Sequence, residues 1–143
     1  MTRGMTLPEV IVSLVIVALV LGIAAPRLSA PLDTVAVEQA AGDIAAAHAR
    51  ARLTAVVESR VTELRVSADS LTLEVLTPAG PERRWARPGP GGLLVTMTGA
   101  ARTLTFSPAG ISMGLSNASW TLTKGSATCR VVISRLGRVR VER

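Results

Sequence analysis

Two charged features of this sequence could do chemistry. Glu9 stands immediately before an uncharged apolar run, residues 10–25, and an acid at such a border is costly in hydrocarbon unless a cation pairs with it. Near the other end, Arg135, Arg138 and Arg140 belong to residues 124–143, which contain six basic residues and one acid. Guanidinium groups fork onto phosphate and carboxylate oxygens. The first feature predicts an ion pair in an apolar setting, and the second is a candidate anion-binding surface.

Patterns for catalysis or metal binding do not occur in the sequence. His48 is the only histidine and Cys129 the only cysteine, and there is no CxxC, HExxH, nucleophile-elbow or phosphate-binding glycine motif. We therefore expect no enzyme, no metal site and no cofactor, and we interpret His48 and Cys129 as packed side chains. A lone cysteine forms no intramolecular disulfide, so it does not indicate the compartment.

The apolar run is the element that must position Glu9. Residues 10–25 read VIVSLVIVALVLGIAA, and about 20 residues from Thr6, at about 1.5 Å each, cover the roughly 30 Å hydrocarbon core of a bilayer. We predict a membrane-inserted helix over residues 5–26. An ordinary secretory signal has a basic start, an apolar run and then a cleavage site. Here the basic stretch is only residues 1–4, and an acid follows it.

The N-terminus resembles the class III signal of type IV prepilins and pseudopilins. The resemblance is carried by residues 3–9, RGMTLPE, by the apolar run and by Pro26. It implies that a prepilin peptidase cuts after Gly4 on the cytoplasmic side and methylates the new amine of Met5, where the family usually has Phe. A neighbouring subunit's amine can then supply the cation for Glu9 and set subunit register. The alternative is that Glu9 lies at the headgroup level, favoured by the helix dipole.

A second periodic stretch follows the apolar run. Apolar or small residues recur with the four-three spacing of one helix face, at Val37, Ala41, Ile44, His48, Ala51 and Ala55. This spacing predicts an amphipathic continuation of the helix over residues 27–60. Asp33 or Thr34 is a candidate N-cap for it.

From Val61 onward the apolar period changes to two, which is typical of β-strands. We predict an antiparallel β domain over residues 61–143, with strands in VTELRV, SLTLEVL, LLVTM, RTLTF, SWTLT, CRVVIS and RVRV. Turns are expected at residues 77–80, 107–110 and 136–137. A mobile loop is expected over residues 78–92, where Trp85 is either a contact surface or folded back onto the sheet.

In the last predicted strand, alternation places Val139 and Val141 toward the core and Arg138 and Arg140 toward solvent. Such a pair of guanidiniums can bind phosphate oxygens, as in DNA, without reading base sequence. The alternative is a solvated face, or a contact with acids of a neighbouring subunit.

The C-terminal half is similar to the GspH/FimT-type minor pseudopilin domain, in FSPAG at residues 106–110 and ISRLGRV at residues 133–139. The two resemblances together imply an α+β pilin-like fold, in which a long N-terminal helix with a membrane-inserted first half packs on antiparallel β-sheets. They imply a single-pass protein of the inner membrane with its C-terminal domain in the periplasm. The implied partners are other pilin or pseudopilin subunits, prepilin peptidase and inner-membrane lipids.

Two functions follow from these resemblances. The first is a minor pseudopilin of a type II secretion system, a structural subunit of the periplasmic pseudopilus that serves protein secretion and contacts secreted cargo. The second is a FimT-like minor type IV pilin that binds DNA during uptake through residues 137–140, GRVR. A third interpretation, an unrelated β domain on one membrane helix, predicts that the leader stays attached and that Glu9 can be replaced freely.

Overall fold

The computed structural model describes residues 6–114 and 117–143, and among these the side chains of all but residues 23–28. The chain forms two compact units, Met1–Leu32 and Asp33–Arg143. The described elements are one helix, nine strands and one 3-10 turn (Pro90–Leu93). In chain order the helix and strands are α1 (Leu7–Val57), β1 (Thr62–Val66), β2 (Ser70–Thr77), β3 (Gly80–Pro88), β4 (Thr96–Thr98), β5 (Arg102–Phe106), β6 (Ser112–Met113), β7 (Ala118–Lys124), β8 (Ala127–Ile133) and β9 (Val139–Glu142).

The part of α1 in the first unit has apolar side chains on all of its faces. Every large apolar residue from Leu7 to Leu21 is exposed, so no single face is distinguished from the others. Within the part of the chain that the structure describes, no helical segment combines the length and hydropathy needed to cross a bilayer.

Helix α1 runs without interruption through Pro26 and Pro31. The predicted N-cap at Asp33 or Thr34 is therefore wrong, because both residues lie in the interior of a helix that begins at Leu7. The prolines remove two backbone donors, but the helical hydrogen bonds on either side extend the helix across them.

In the second unit, α1 buries the face that its sequence spacing predicted. All six predicted positions are buried, and Ala40 and Ala47 join them. Five of these eight residues are alanines, and small side chains allow a helix backbone to lie close to a sheet. The predicted amphipathic helix is thus confirmed for its packed face, with its end at Val57.

The strands form two antiparallel sheets. The first has five strands in the order β3-β2-β1-β5-β6, and the second has four in the order β4-β7-β8-β9. In the first sheet Leu64 lies between Leu73 and Leu104, and in the second Trp120 pairs with Val131. These inward rows and the buried face of α1 form one apolar core. The Thr62 hydroxyl of β1 donates a hydrogen bond to the carbonyl oxygen of Ala51 in α1, at an Oγ1–O distance of 3.0 Å.

The predicted mobile loop over residues 78–92 is wrong. Pro78 and Ala79 form a turn and residues 90–92 belong to the 3-10 turn, but between them β3 pairs with β2 along its whole length, with a bulge opposite Leu73 and Glu74. Two ion pairs hold β3, Arg87 with Asp43 of α1 and Arg84 with Glu58 in the turn that follows α1, each at 3.0 Å. The charged residues of this segment are those of an edge strand, where one side faces solvent.

The predicted strand LLVTM is only partly present. Its first residue belongs to the 3-10 turn, and strand structure is confined to Thr96–Thr98. Leu94 ends the turn in a left-handed conformation, with φ 57°. The apolar run is broken by this turn, which the preceding Pro-Gly-Gly sequence initiates.

Candidate functional site

Glu9 lies in the first turn of α1. Its side chain is exposed, and its backbone carbonyl accepts a hydrogen bond from Ser13 Oγ at 2.8 Å. Among the described residues no cation stands within ion-pair distance of its carboxylate. Gly4 and Met5, the predicted cleavage and methylation positions, lie outside the described residues.

Two of the three predicted arginines meet on the second unit. Arg138 and Arg140 line a surface hollow of about 730 Å³, and Arg52 of α1 lines it with them. We call this feature the arginine hollow; its other lining residues are Val132, Ser134, Leu136, Gly137 and Glu142. Arg135 is exposed in the adjoining turn and is not part of the lining. The arrangement places three arginines and one glutamate along one concave surface, and the excess of positive charge suits an anion with several oxygens.

The turn between β8 and β9 holds Arg138 in place. Ser134 and Arg138 close it through a backbone bond of 2.9 Å, and the Arg138 amide also donates to Ser134 Oγ over 3.1 Å. Gly137 has a positive φ of 74°, and a Cβ at this position would stand 2.6 Å from Ser112 Oγ. A side chain is therefore disfavoured at Gly137 by both conformation and space.

Strand β9 follows the predicted alternation, but its burial is incomplete. Val139 and Val141 pair with the buried Ile133 and Val131, so their side chains lie on the core face of the sheet. Val139 is half-buried against the core, whereas Val141 is 44% exposed, because β9 is an edge strand. Arg140 is exposed and pairs with Glu142 at 3.8 Å, while Arg143 pairs with Glu38 of α1 at 3.0 Å.

Arg52 is the member of the hollow that sequence reasoning missed. It lies on the border of the buried face of α1, four residues after His48, and its stem runs beside Gly110: a Cβ there would stand 3.2 Å from Arg52 Cγ. Gly110 belongs to the predicted turn at residues 107–110, which is confirmed. The helix position of Arg52 was visible in the sequence, whereas its approach to Arg138 depends on the tertiary fold.

His48 is buried next to the arginine hollow. Only 4% of it is exposed, and its ring meets that of Phe106 edge-on at 5.1 Å. Its Nε2 atom has no hydrogen-bond partner among the described residues and is 3.9 Å from the point where a Cβ of Gly137 would stand. Burial, and then the positive charge of Arg52, lower the pKa of His48. The prediction of a packed histidine is confirmed, but its unpartnered nitrogen was not anticipated.

Trp85 is half-buried against the core, with the guanidinium carbon of Arg50 5.5 Å from its ring centroid. It borders a groove of about 770 Å³ along α1, lined by apolar residues such as Ala46, Leu53 and Val57. The interpretation of Trp85 as folded back is therefore the better one. Cys129 is buried as predicted, and burial raises the pKa of its thiol.

Comparisons with known proteins give one match to the N-terminal segment and one match along nearly the whole chain. Residues 1–25 match the family described as the prokaryotic N-terminal methylation motif. Over 155 aligned residues the chain is 33% identical to the pilin-like protein PilA1 of Thermus thermophilus, and the match covers 98% of each.

The fold is similar to those of two solved structures. The type IV minor pilin FimU of Pseudomonas aeruginosa has a TM-score of 0.60 at 19% identity, with 75% of this chain and 88% of that chain covered. The minor pseudopilin EpsH of the type 2 secretion system of Vibrio cholerae has a TM-score of 0.57 at 13% identity, with 73% and 94% covered. At these identities the likeness concerns the fold, and it confirms the predicted class of a long helix on antiparallel sheets.

Proposed function

Because the chain belongs to the type IV pilin-like proteins, we propose that it is a minor subunit of a membrane-anchored filament, assembled through its N-terminal helix. Pilin-like proteins are structural subunits, so the chain is not an enzyme. The observation that carries the proposal is the 33% identity to a pilin-like protein along 98% of both chains. The methylation motif over residues 1–25 supports it independently.

The proposed assembly mechanism uses the first turn of α1. Prepilin peptidase cuts after Gly4, the amine of Met5 is methylated, and this amine on one subunit pairs with Glu9 of the next. The exposed apolar side chains from Leu7 to Leu21 are buried first by inner-membrane lipid and then by neighbouring helices. Residues 33–143 lie on the periplasmic side. The exposure of these side chains on all faces supports the proposal, since a helix of this kind requires an apolar surrounding.

A pair of variants tests this mechanism. Glu9→Gln removes the charge with little change in size, so we expect normal processing but loss of incorporation into filaments. Asp43→Asn removes an acid from the same helix and is the matched control, which should incorporate normally. Processing is read from the mass of the mature chain, and incorporation from sheared filaments. Incorporation of Glu9→Gln at the wild-type level would show that Glu9 does not set subunit register.

The first candidate for the filament is the pseudopilus of a type II secretion system, in which the subunit serves protein secretion. The fold supports this candidate, but the likeness to FimU supports a type IV pilus to the same degree. In the secretion system, the groove beside Trp85 is a surface for secreted cargo, because it combines an apolar floor with an exposed arginine.

The second candidate, DNA capture by a type IV pilus subunit, is favoured by one observation: three arginines line one hollow. Each guanidinium is forked, and together they can contact successive phosphate oxygens of a nucleic acid backbone. Only Arg140 of the three has an ion-pair partner among the described residues, and that pair is loose at 3.8 Å. The hollow contains no aromatic residue to stack on bases, so the expected binding is independent of sequence.

DNA binding by residues 33–143, which contain the whole buried core, distinguishes the two candidates. Binding of double-stranded DNA is measured over a salt series for the wild type and for Arg138→Ala with Arg140→Ala. Arg60→Ala with Arg102→Ala removes the same charge from exposed positions elsewhere. If the hollow binds DNA, only the first double variant loses affinity strongly, and the slope of log K against log salt falls by about two. Absence of binding at low salt favours the secretion pseudopilin.

A further inference from the structure

We propose that the arginine hollow is a proton-linked site for phosphate-type anions, in which anion binding by Arg52, Arg138 and Arg140 and protonation of the buried His48 strengthen each other. This inference rests on the DNA-binding candidate of the proposed function. It adds to that candidate a third arginine and a dependence of affinity on pH.

The geometry begins with Gly137, which separates the hollow from His48. Gly137 lines the hollow, and because it has no side chain, the Nε2 atom of His48 comes within 3.9 Å of the position that a Cβ would occupy. This nitrogen is buried and has no hydrogen-bond partner in the part of the chain that the structure describes. A buried polar atom without a partner carries a free-energy cost, so a hydrogen-bonding group that reached this nitrogen from the hollow would be stabilising.

The charged groups that line the hollow next to His48 are mostly cationic. Arg52 of α1 acts on His48 directly, and Arg138 follows Gly137 in the turn. Arg140 and Glu142 of β9 line the same hollow. The other neighbours, Phe106 and Ser112, carry no charge.

When no anion is bound, burial disfavours the protonated ring of His48, and the positive charge of Arg52 repels it. Both effects lower the pKa of His48. An anion in the hollow offsets that positive charge, so the pKa of His48 must rise when the anion binds. Linkage is reciprocal, and the anion must therefore bind more tightly when His48 is protonated. For each unit by which the anion raises the pKa, affinity at acid pH exceeds that at alkaline pH by about tenfold.

Glu142 is the acidic residue that lines the hollow, and its carboxylate, 3.8 Å from Arg140, competes with an anion for that guanidinium. This competition and the protonation of His48 differ in one respect: only the protonation of His48 changes the titration of the histidine ring.

The test uses the single histidine of the chain as its own reporter. The full chain, with labelled histidine and in a non-ionic detergent, is titrated by NMR with and without inorganic triphosphate, and the affinity for triphosphate is measured by calorimetry across the same pH range. We expect triphosphate to move the His48 titration to higher pH and to bind more tightly as pH falls. Arg52→Gln should abolish most of this shift in the His48 titration. Arg60→Gln, at an exposed position just after α1, should leave the shift unchanged.

Two further variants separate the contributions. Glu142→Gln should leave the movement of the His48 titration in place. His48→Gln should bind triphosphate at neutral pH and lose the pH dependence that remains in Glu142→Gln. The wild-type titration alone decides the inference if His48→Gln does not fold.

Triphosphate binding without any movement of the His48 titration would overturn the inference and leave the DNA-binding candidate standing. Absence of triphosphate binding at low salt would also overturn it, and if DNA failed to bind as well, the DNA-binding candidate would fall with it. The role as a filament subunit is tested separately through Glu9.

Discussion

Replacing Gly137 by alanine should destabilise the second unit and disturb the arginine hollow. Gly137 and Gly114 have nearly the same backbone conformation, with φ of 74° and 68°, but they differ in their surroundings. A Cβ at Gly137 would stand 2.6 Å from Ser112 Oγ, whereas a Cβ at Gly114 would have no atom of the described residues within 4 Å. Gly114→Ala is therefore a control that shares the conformational strain and lacks the crowding.

The magnitude follows from these two contributions. The left-handed conformation costs alanine about 1–2 kcal/mol, and the reduced entropy of the unfolded chain returns about 0.4–1 kcal/mol. Gly114→Ala should thus lose roughly 1 kcal/mol. Crowding against Ser112 adds about 1–3 kcal/mol in Gly137→Ala. The difference between the variants corresponds to a Tm lower by very roughly 4–12 °C for a domain of this size.

Urea unfolding of residues 33–143, followed by circular dichroism, measures both variants. Ser112→Ala removes the crowded oxygen, and its Cβ would remain 3.8 Å from the new methyl group. The double variant Gly137→Ala with Ser112→Ala should therefore recover most of the excess loss, leaving about the loss seen for Gly114→Ala. Equal stability of Gly137→Ala and Gly114→Ala would refute the reasoning, and failure of Ser112→Ala to rescue would show that the crowding lies elsewhere.

Three further predictions concern buried groups. Thr62→Val should lower the free energy of unfolding by about 1 kcal/mol, because the bond to Ala51 is lost; an unchanged urea midpoint would mean that this bond adds no net stability. The folded-state pKa of His48 lies below 6.5, so the unfolded state binds more protons in acid. Stability should fall as pH drops below about 6.5, by at most about 1.4 kcal/mol per pH unit, and His48→Gln should lack this part of the pH profile. Burial raises the pKa of Cys129 above 9.0, with Arg143 opposing the rise. Stability should therefore decline above pH 9.0 as the unfolded thiol ionises, and a Cys129→Ala variant with the same alkaline decline would contradict this.

The helix and most of the strands could be predicted because their residues repeat with a clear period. The buried face of α1 was identified from Val37 to Ala55 because the four-three spacing is a local property of the sequence. The predicted N-cap at Asp33 was wrong for a related reason. A capping residue is recognised only if the helix begins there, and α1 begins much earlier.

Strand β3 was missed because its residues do not alternate. An edge strand has one side in solvent, so charged residues such as Arg83 and Arg84 replace the apolar ones that mark an interior strand. Its pairing with β2 is a local hairpin, but its ion pairs to Glu58 and Asp43 involve residues far apart in sequence. Patterns within a short window do not contain such information.

The candidate site was predictable only in its local part. Arg138 and Arg140 are two residues apart, so alternation along one strand was enough to place them together. Arg52 is more than eighty positions away in the sequence, and only the packing of α1 beside the turn at Gly137 unites the three. The proximity of His48 to the hollow was not predictable either, because a glycine in a turn does not indicate which distant residues pack against it.

The edges of the two sheets have a consequence for the filament assembly proposed above. Strands β6 and β4 expose edges of only two and three residues, β9 carries alternating charges, and the long edge of β3 is bounded by Pro81 and Pro88 with charged residues between them. These are the features by which β-proteins avoid adding strands from other molecules. In the proposed filament, subunits could therefore reach a high local concentration without forming amyloid-like sheets, and the proposed assembly uses the helix instead of these edges.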